Sequence, residues 1–310
     1  MRATTTRRHR LLEGLLALVA WAAVVALALI FVFIAREGLP ALWRGDARAL
    51  LAPRRWPGYD EAAFIWQPVG KPPKHNLVPL LVGSLKVTTL AMVAALPLGI
   101  GCAIWVAEVA SPRVRAVVKP AIELLAALPS VVVGLFAALV LADVGRALFG
   151  FTYRLNASVA AAGLVLAVVP IIFTVAEDAL AAVPQRMREA SFALGARRWQ
   201  TTLFVVVPAA IPGLTAAAVL GFGRAIGETM IILMASGNAA VLAPLDPFSS
   251  ARTMTATIAA ELGETVRGGE HWRVLFLLGV VLFVITSGLN RVGAWATDRL
   301  ARRLGREEGR

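Results

Sequence analysis

The apolar positions of this chain fall into six long blocks, not into the alternating or 3.6-residue stripes of a water-exposed domain. A helix needs about 20 apolar residues to cross the ~30 Å hydrocarbon core of a bilayer at a rise of ~1.5 Å per residue. Gly14 to Ala35 is uncharged and long enough, and it follows Arg2, Arg7, Arg8 and Arg10. That order resembles a secretory signal. The run is too long for one, however, and no small-x-small cleavage site follows, so the sequence predicts a retained first span. Val87 to Ala107 is the second block, with its helix starting nearer Leu77; Leu124 to Ala142 is the third and Leu155 to Ala176 the fourth. Trp199 to Gly223 is the fifth, expected to continue through Arg224 and Glu228 to about Ser236. Val274 to Leu289 is the sixth, expected to extend to Trp295. Prolines 97, 129, 170, 208 and 212 lie in or at the ends of these spans, which bundled membrane helices tolerate because neighbours satisfy the freed backbone groups. The expectation is an all-α membrane protein, a six-transmembrane-helix bundle.

Composition supports this reading. Hydrophobic residues make up 58% of the 310 and charged ones 16%, against ~45–50% and ~25% in ordinary soluble domains. A disordered chain is excluded and a plain soluble enzyme disfavoured. The net charge is +12, from 31 Lys+Arg against 19 Asp+Glu. In a membrane protein such an excess gathers in cytoplasmic loops, so nucleic acid is not an expected partner and membrane lipid is. Seventeen Lys and Arg fall on the face that holds both termini and twelve on the other. This asymmetry predicts cytoplasmic termini, although seven of the twelve sit in residues 36–76 and weaken it. The single cysteine, Cys102, excludes an intrachain disulfide and a cysteine-based metal cluster. His9, His75 and His271 stand far apart and show no ligand spacing. No cofactor is expected. The segment 37–76 (with Trp43, Trp56 and Trp66) reads as an external loop whose tryptophans either sit at the headgroups or pack beneath the loop.

Two constellations carry chemistry. Between the fourth and fifth spans, residues 184–208 contain Glu189-Ala190-Ser191, then three residues, Gly195, nine residues, and Val205-Val206-Val207-Pro208. Gly195 can take a positive φ and so end one short helix and start another. Ala190, Ser191, Ala193 and Ala196 allow close approach of a partner surface, and Arg186, Arg188, Arg197 and Arg198 give the pair a basic rim. A rigid helix-turn-helix of this kind suits the transmission of force from a docked motor. The second constellation is Gly221 to Met230, where Arg224 and Glu228 stand four apart in an apolar helix and so share a face. Ionisable groups at membrane depth mark a substrate path or a buried pair. The Arg fork matches phosphate oxygens in a bidentate way. Glu228 can hold the Arg when the site is empty, or accept a hydrogen bond from a protonated phosphate oxygen, which sulfate lacks. A structural salt bridge or snorkelling explains the motif alone equally well. Lys86 and Glu123, near the ends of spans two and three, read as structural residues that snorkel.

The 184–208 pattern resembles the EAA loop of ABC-importer permeases, with Ser191 for the second Ala and Val205 and Val207 for Ile and Leu. With it stand the tryptophan-glutamine-proline run at 66–68, AIELLAALPSVVVGLF at 121–136, GFGRAIGETM at 221–230, Gly237-Asn238 and LFVIT at 282–286. Together these resemble the phosphate ABC-transporter permeases of the PstC type over about residues 66–290. His75-Asn76 departs from the small-residue run expected before span two. The resemblance implies a type I (MetI-like) permease: residues 1–36 as tail and first helix, 77–298 as the transmembrane domain with its coupling loop at 184–208, and 299–310 as a basic cytoplasmic tail. It also implies an inner-membrane subunit that moves inorganic phosphate and is not itself an enzyme. The implied partners are a PstA-type permease, two copies of a PstB-type ATPase and a PstS-type periplasmic phosphate-binding protein. Glu189, Ala190, Ser191, Gly195 and Pro208 would couple to the ATPase, and Arg224 and Glu228 would serve translocation. No G-x-x-x-x-G-K-[ST] loop is present to bind nucleotide. The rival readings are an ABC permease for molybdate or sulfate and an ion-coupled secondary carrier.

Overall fold

A computed structural model describes residues 2–44, 47–56 and 60–307. The side chains of Arg2, Arg7, Arg8 and Arg10, and residues 308–310 of the expected basic tail, lie outside the described residues. In chain order, α1 covers Arg2–Gly38, followed by the short helices α2 (Pro40–Arg44) and α3 (Ala47–Leu51). Two antiparallel hairpins come next: β1 (Arg54–Arg55) with β2 (Ala62–Ala63), and β3 (Trp66–Gln67) with β4 (Lys74–His75). Then come α4 (Val78–Ile104), α5 (Pro112–Ala126), α6 (Ser130–Phe136), α7 (Ala142–Phe149), α8 (Ala157–Ala181), α9 (Gln185–Ala193) and α10 (Arg198–Thr201). The chain ends with α11 (Val207–Gly227), α12 (Met230–Ala235), α13 (Met254–Glu261) and α14 (Glu270–Glu307). Three π-turns, Trp105–Val109, Ala137–Leu141 and Thr202–Val206, extend α4, join α6 to α7 and join α10 to α11.

Among the described residues, six helical stretches are long and apolar enough to cross a membrane: 12–43, 78–109, 130–149, 157–181, 198–227 and 270–300. Their centre is α8. Its Leu164, Val168, Ile172, Phe173 and Leu180 are fully buried, and α4 and α11 pack along it. Small residues permit that packing, as membrane interfaces require. A Cβ at Gly99 of α4 or at Gly221 of α11 would run into the Ile172 side chain. α14 packs against α11, and α1 packs against α14 through Phe31–Phe283 and Phe33–Phe276 ring contacts. The rest of α1 from Leu12 onward exposes apolar side chains all round, as a helix in lipid does. Trp272 Nε1 donates to Glu37 at 2.9 Å, which with the two ring contacts makes α1 and α14 antiparallel. α14 is antiparallel to α11 as well, with Gly293 at Val219 and Gly223 at Asn290, so the free ends of α1 and α14 lie towards the end of α11 that the α9–α10 hairpin leads into.

Several expectations change. The third span begins at Ser130, not Leu124, because Pro129 has no N–H to donate and holds Leu128 off the helical path. The preceding residues form α5 instead, a separate amphipathic helix whose Ser111 side chain accepts from Val114 N. Glu123 lies on this helix, exposed, and outside any span. The fifth span stops at Gly227, and the sixth helix continues past Trp295 to Glu307. Lys86 does not snorkel. Its ammonium is buried and donates to Ala243 O and Asp246 O at 3.1 Å and to Ser249 Oγ at 2.7 Å, which pins the 243–249 loop to span two. Trp56 and Trp66 are buried beneath the 37–76 segment, while Trp43 is exposed.

Candidate functional site

The expected continuous helix through Arg224 and Glu228 is broken. α11 ends at Gly227, Glu228 adopts an extended conformation (φ −70°, ψ 133°), and α12 starts afresh at Met230. The freed groups find side-chain partners. Thr255 Oγ1 of α13 donates to Glu228 O at 3.0 Å, and Thr229 N donates to Glu228 Oε1 at 3.2 Å. Gly227, a poor helix residue, marks the break. Even so, the carboxylate folds back to lie 3.4 Å from Arg224 Nη2. The two groups are unequal. The Glu228 side chain is 6% exposed and the Arg224 side chain 50%. The open space around Gly227, where a Cβ would meet nothing within 4 Å, continues the face on which Arg224 lies. An ion pair with one exposed partner is weak. The guanidinium is therefore anchored on one side and has donors free to turn towards an anion, and it makes no other ion pair among the described residues.

The 184–208 segment folds as a helix-turn-helix. Gly195 has φ +83°, its N–H donates to Phe192 O at 2.9 Å and Ala196 N donates to Ser191 O at 3.2 Å. This paired bonding satisfies the last carbonyls of α9 and needs a left-handed residue at position 195. Ser191 Oγ and Thr201 Oγ1, 2.9 Å apart and buried, join α9 to α10. Glu189 and Ala190 are exposed, Leu194 at the tip is 90% exposed, and Pro208 lies in the first turn of α11. The hairpin thus presents Leu194 and Phe192 outward on a base held rigidly to the bundle.

Arg188 is not part of a basic rim. It donates to Glu108 Oε1 at 2.8 Å, to Leu180 O at 2.9 Å and to Val183 O at 2.5 Å, so it ties α9 to the ends of spans two and four. Lys119 of α5 sits 2.6 Å from Glu177 of α8, and that hydrogen bond raises the ammonium above its ordinary value. Arg115 donates to the carbonyls of Val106 and Ala107, closing the π-turn after α4. Sequence reading missed Thr255, Thr229, Glu108 and Thr201, because their partners are set by tertiary packing. Only the glycine-rich run before Glu228 signals a break.

The profile of the family described as "Binding-protein-dependent transport system inner membrane component" matches residues 95–306. The chain belongs to that family. Relatives of this inner-membrane component include the probable ABC transporter permease protein YqgH of Bacillus subtilis, 38% identical over 71% of both chains. The phosphate transport system permease protein PstC 1 of Mycobacterium tuberculosis is 32% identical over 74% of both chains. PstC of Haemophilus influenzae is 32% identical over 72% of this chain and 75% of its own. Among solved structures, an inward-facing MetNI methionine ABC transporter matches with a TM-score of 0.53 at 19% identity, over 72% of this chain and 94% of that one. A bacterial alginate ABC transporter matches at 0.54 and 15%, over 73% and 79%. The structural likeness shows the fold, a bundle of membrane helices; the family and the six apolar helices among the described residues make this a multi-pass permease component of the inner membrane.

Proposed function

We propose that this inner-membrane component moves inorganic phosphate into the cytosol, driven by a separate ATPase. The observation that carries the reading is the half-exposed Arg224 guanidinium, held 3.4 Å from the buried Glu228 carboxylate at the end of a membrane span. Such an arrangement offers a fixed positive charge and two parallel donors to an oxyanion at membrane depth. The carboxylate beside it favours an anion that still carries a proton, and so phosphate over sulfate. Three of the relatives named PstC lie at 30–32% identity, which supports the same substrate.

The α9–α10 hairpin is the docking point for the ATPase on this reading, with Glu189, Ala190, Ser191, Gly195 and Pro208 as its coupling residues. Leu194 and Phe192 supply its apolar contact. Both termini then lie in the cytoplasm, since they share the hairpin's face. A second permease of the PstA type closes the pathway, two ATPase subunits of the PstB type bind below, and a PstS-type protein delivers phosphate from outside. The test is uptake of labelled phosphate by the reconstituted importer with sulfate and molybdate as competitors. Phosphate alone is expected to compete at equal concentration. Equal competition by molybdate would assign the site to oxyanions in general.

A further inference from the structure

On the face opposite the α9–α10 hairpin the bundle buries a polar cluster that translocation does not use. Glu261, at the end of α13, accepts from Trp66 Nε1 at 3.2 Å, lies 2.5 Å from Arg252 Nη2 and lies 3.1 Å from His271 Nε2. The rings of His271 and His75 stack with centroids 5.3 Å apart and planes 13° apart, and both abut Trp66 at 5.7–5.8 Å. His75 Nδ1 is 3.5 Å from the exposed Glu270 carboxylate. His75 Nε2, His271 Nδ1, Arg252 Nε and Glu261 Oε2 are buried without a hydrogen-bond partner. The two histidines that looked unrelated along the chain are therefore neighbours. Every segment packed there contributes: β3 and β4 bring Trp66 and His75, the strap before α13 brings Arg252, α13 brings Glu261, and α14 brings Glu270 and His271. The ammonium of Lys74, next to His75, turns to Gln67.

We propose that this cluster is an acid-sensitive latch: while the His75 imidazole is neutral the stack clamps α13 between the β3–β4 hairpin and α14, and protonation of His75 releases it. A proton on His75 puts a charge in a buried site, face to face with the His271 ring, in a setting that water barely screens. Burial, and then the neighbouring His271, hold His75 below its ordinary 6.5. Burial alone would raise the Glu261 carboxyl, but its 3.1 Å contact with His271 and the Arg252 charge outweigh that and hold it below the usual range. The released state takes up a proton on His75 at the ordinary value, the closed latch only at a lower pH. The closed form is therefore at full strength above 6.5 and weakens as the pH falls through the window beneath it.

The latch reaches the translocation residues through one short helix. Glu261 ends α13, and Thr255 near its start donates to the Glu228 carbonyl. A shift of α13 therefore moves the break that places Glu228 beside Arg224. This link rests on the role proposed above for that pair; the latch itself does not.

The experiment is hydrogen–deuterium exchange on the full-length permease with its co-purifying subunits in lipid nanodiscs, without phosphate, corrected for the intrinsic pH dependence of exchange. Both faces meet the same buffer, so sidedness and substrate ionisation do not enter. Between about pH 7.5 and about pH 5.5, protection across 254–264 is expected to fall several-fold. His75→Gln and His271→Gln should each abolish that fall. Unchanged protection in the natural protein, or the same fall in either variant that folds, overturns the latch. An intact pH response alongside normal phosphate transport by Arg224→Gln would leave the latch standing and remove the proposed role of Arg224.

Discussion

At the scale of single residues, Arg224 and Arg188 show how one side-chain type does opposite work in one chain. Arg224 is half-exposed and touches only one acid among the described residues. Replacing it by Gln keeps length and polarity but removes the charge and the fork. Each charge-assisted hydrogen bond contributes about 1.5–3 kcal/mol, so losing two lowers phosphate uptake by about a hundredfold or more. Assembly should persist, because the side chain anchors nothing else; uptake assays beside co-purification of the subunits check both halves, and unchanged uptake removes Arg224 from the mechanism. Arg188 is enclosed, and its guanidinium serves Glu108 and two carbonyls. Arg188→Met strands a buried carboxylate and costs about 3 kcal/mol. Adding Glu108→Gln should recover most of that loss in denaturation of the detergent-solubilised protein. If the double variant is no more stable than the single one, the pair is not coupled. From sequence the two arginines look alike, one in an apolar helix and one in a basic loop; only the distances separate them.

At the scale of elements, the long spans were legible because hydrocarbon thickness imposes a simple length rule, and five of the six blocks appear in register with it. The breaks were less legible. The glycine-rich run signals the one before Glu228, but the block Leu124 to Ala142 reads as continuous although Pro129 divides it, because hydrophobicity carries no information about where the helical backbone ladder stops. The turn of the α9–α10 hairpin was legible, because only glycine takes φ +83° without penalty and Gly195 stands between two short helical patterns. That turn yields a sharp prediction for the proposed coupling role. Gly195→Pro fixes φ near −65° and deletes the N–H that caps Phe192 O, so the hairpin loses its angle while the spans behind it stay intact. ATP hydrolysis by the assembled importer should continue while phosphate uptake falls to background. Coupled uptake at the natural rate would detach the hairpin from force transmission.

At the scale of the whole molecule, the bundle is one-sided. α8 is enclosed by α4 and α11, whereas the end of α11 leaves Gly227 open and Arg224 half-exposed at membrane depth. A guanidinium facing lipid is costly, so that face calls for a protein or aqueous neighbour. On the role proposed for Arg224, a second permease subunit placed there would seal the pathway and supply the wall this chain lacks. The count of six spans anticipated that α1 starts and α14 ends on one face, but not this asymmetry, which arises only when α11 stops and α12 turns away to pack on α6 and α8. The single natural cysteine makes the consequence measurable. In a Cys102→Ser background, Gly227→Cys projects into open space and meets nothing of its own chain within 4 Å. A short bifunctional thiol reagent, with a matching cysteine introduced on the paired permease, should join the two subunits into one band, and ATP should change the yield as the bundles rock. Absence of any inter-subunit product, with the lipid-soluble thiol probe reacting freely at position 227, would place this face against lipid and leave the pathway to be sought on another side of the bundle.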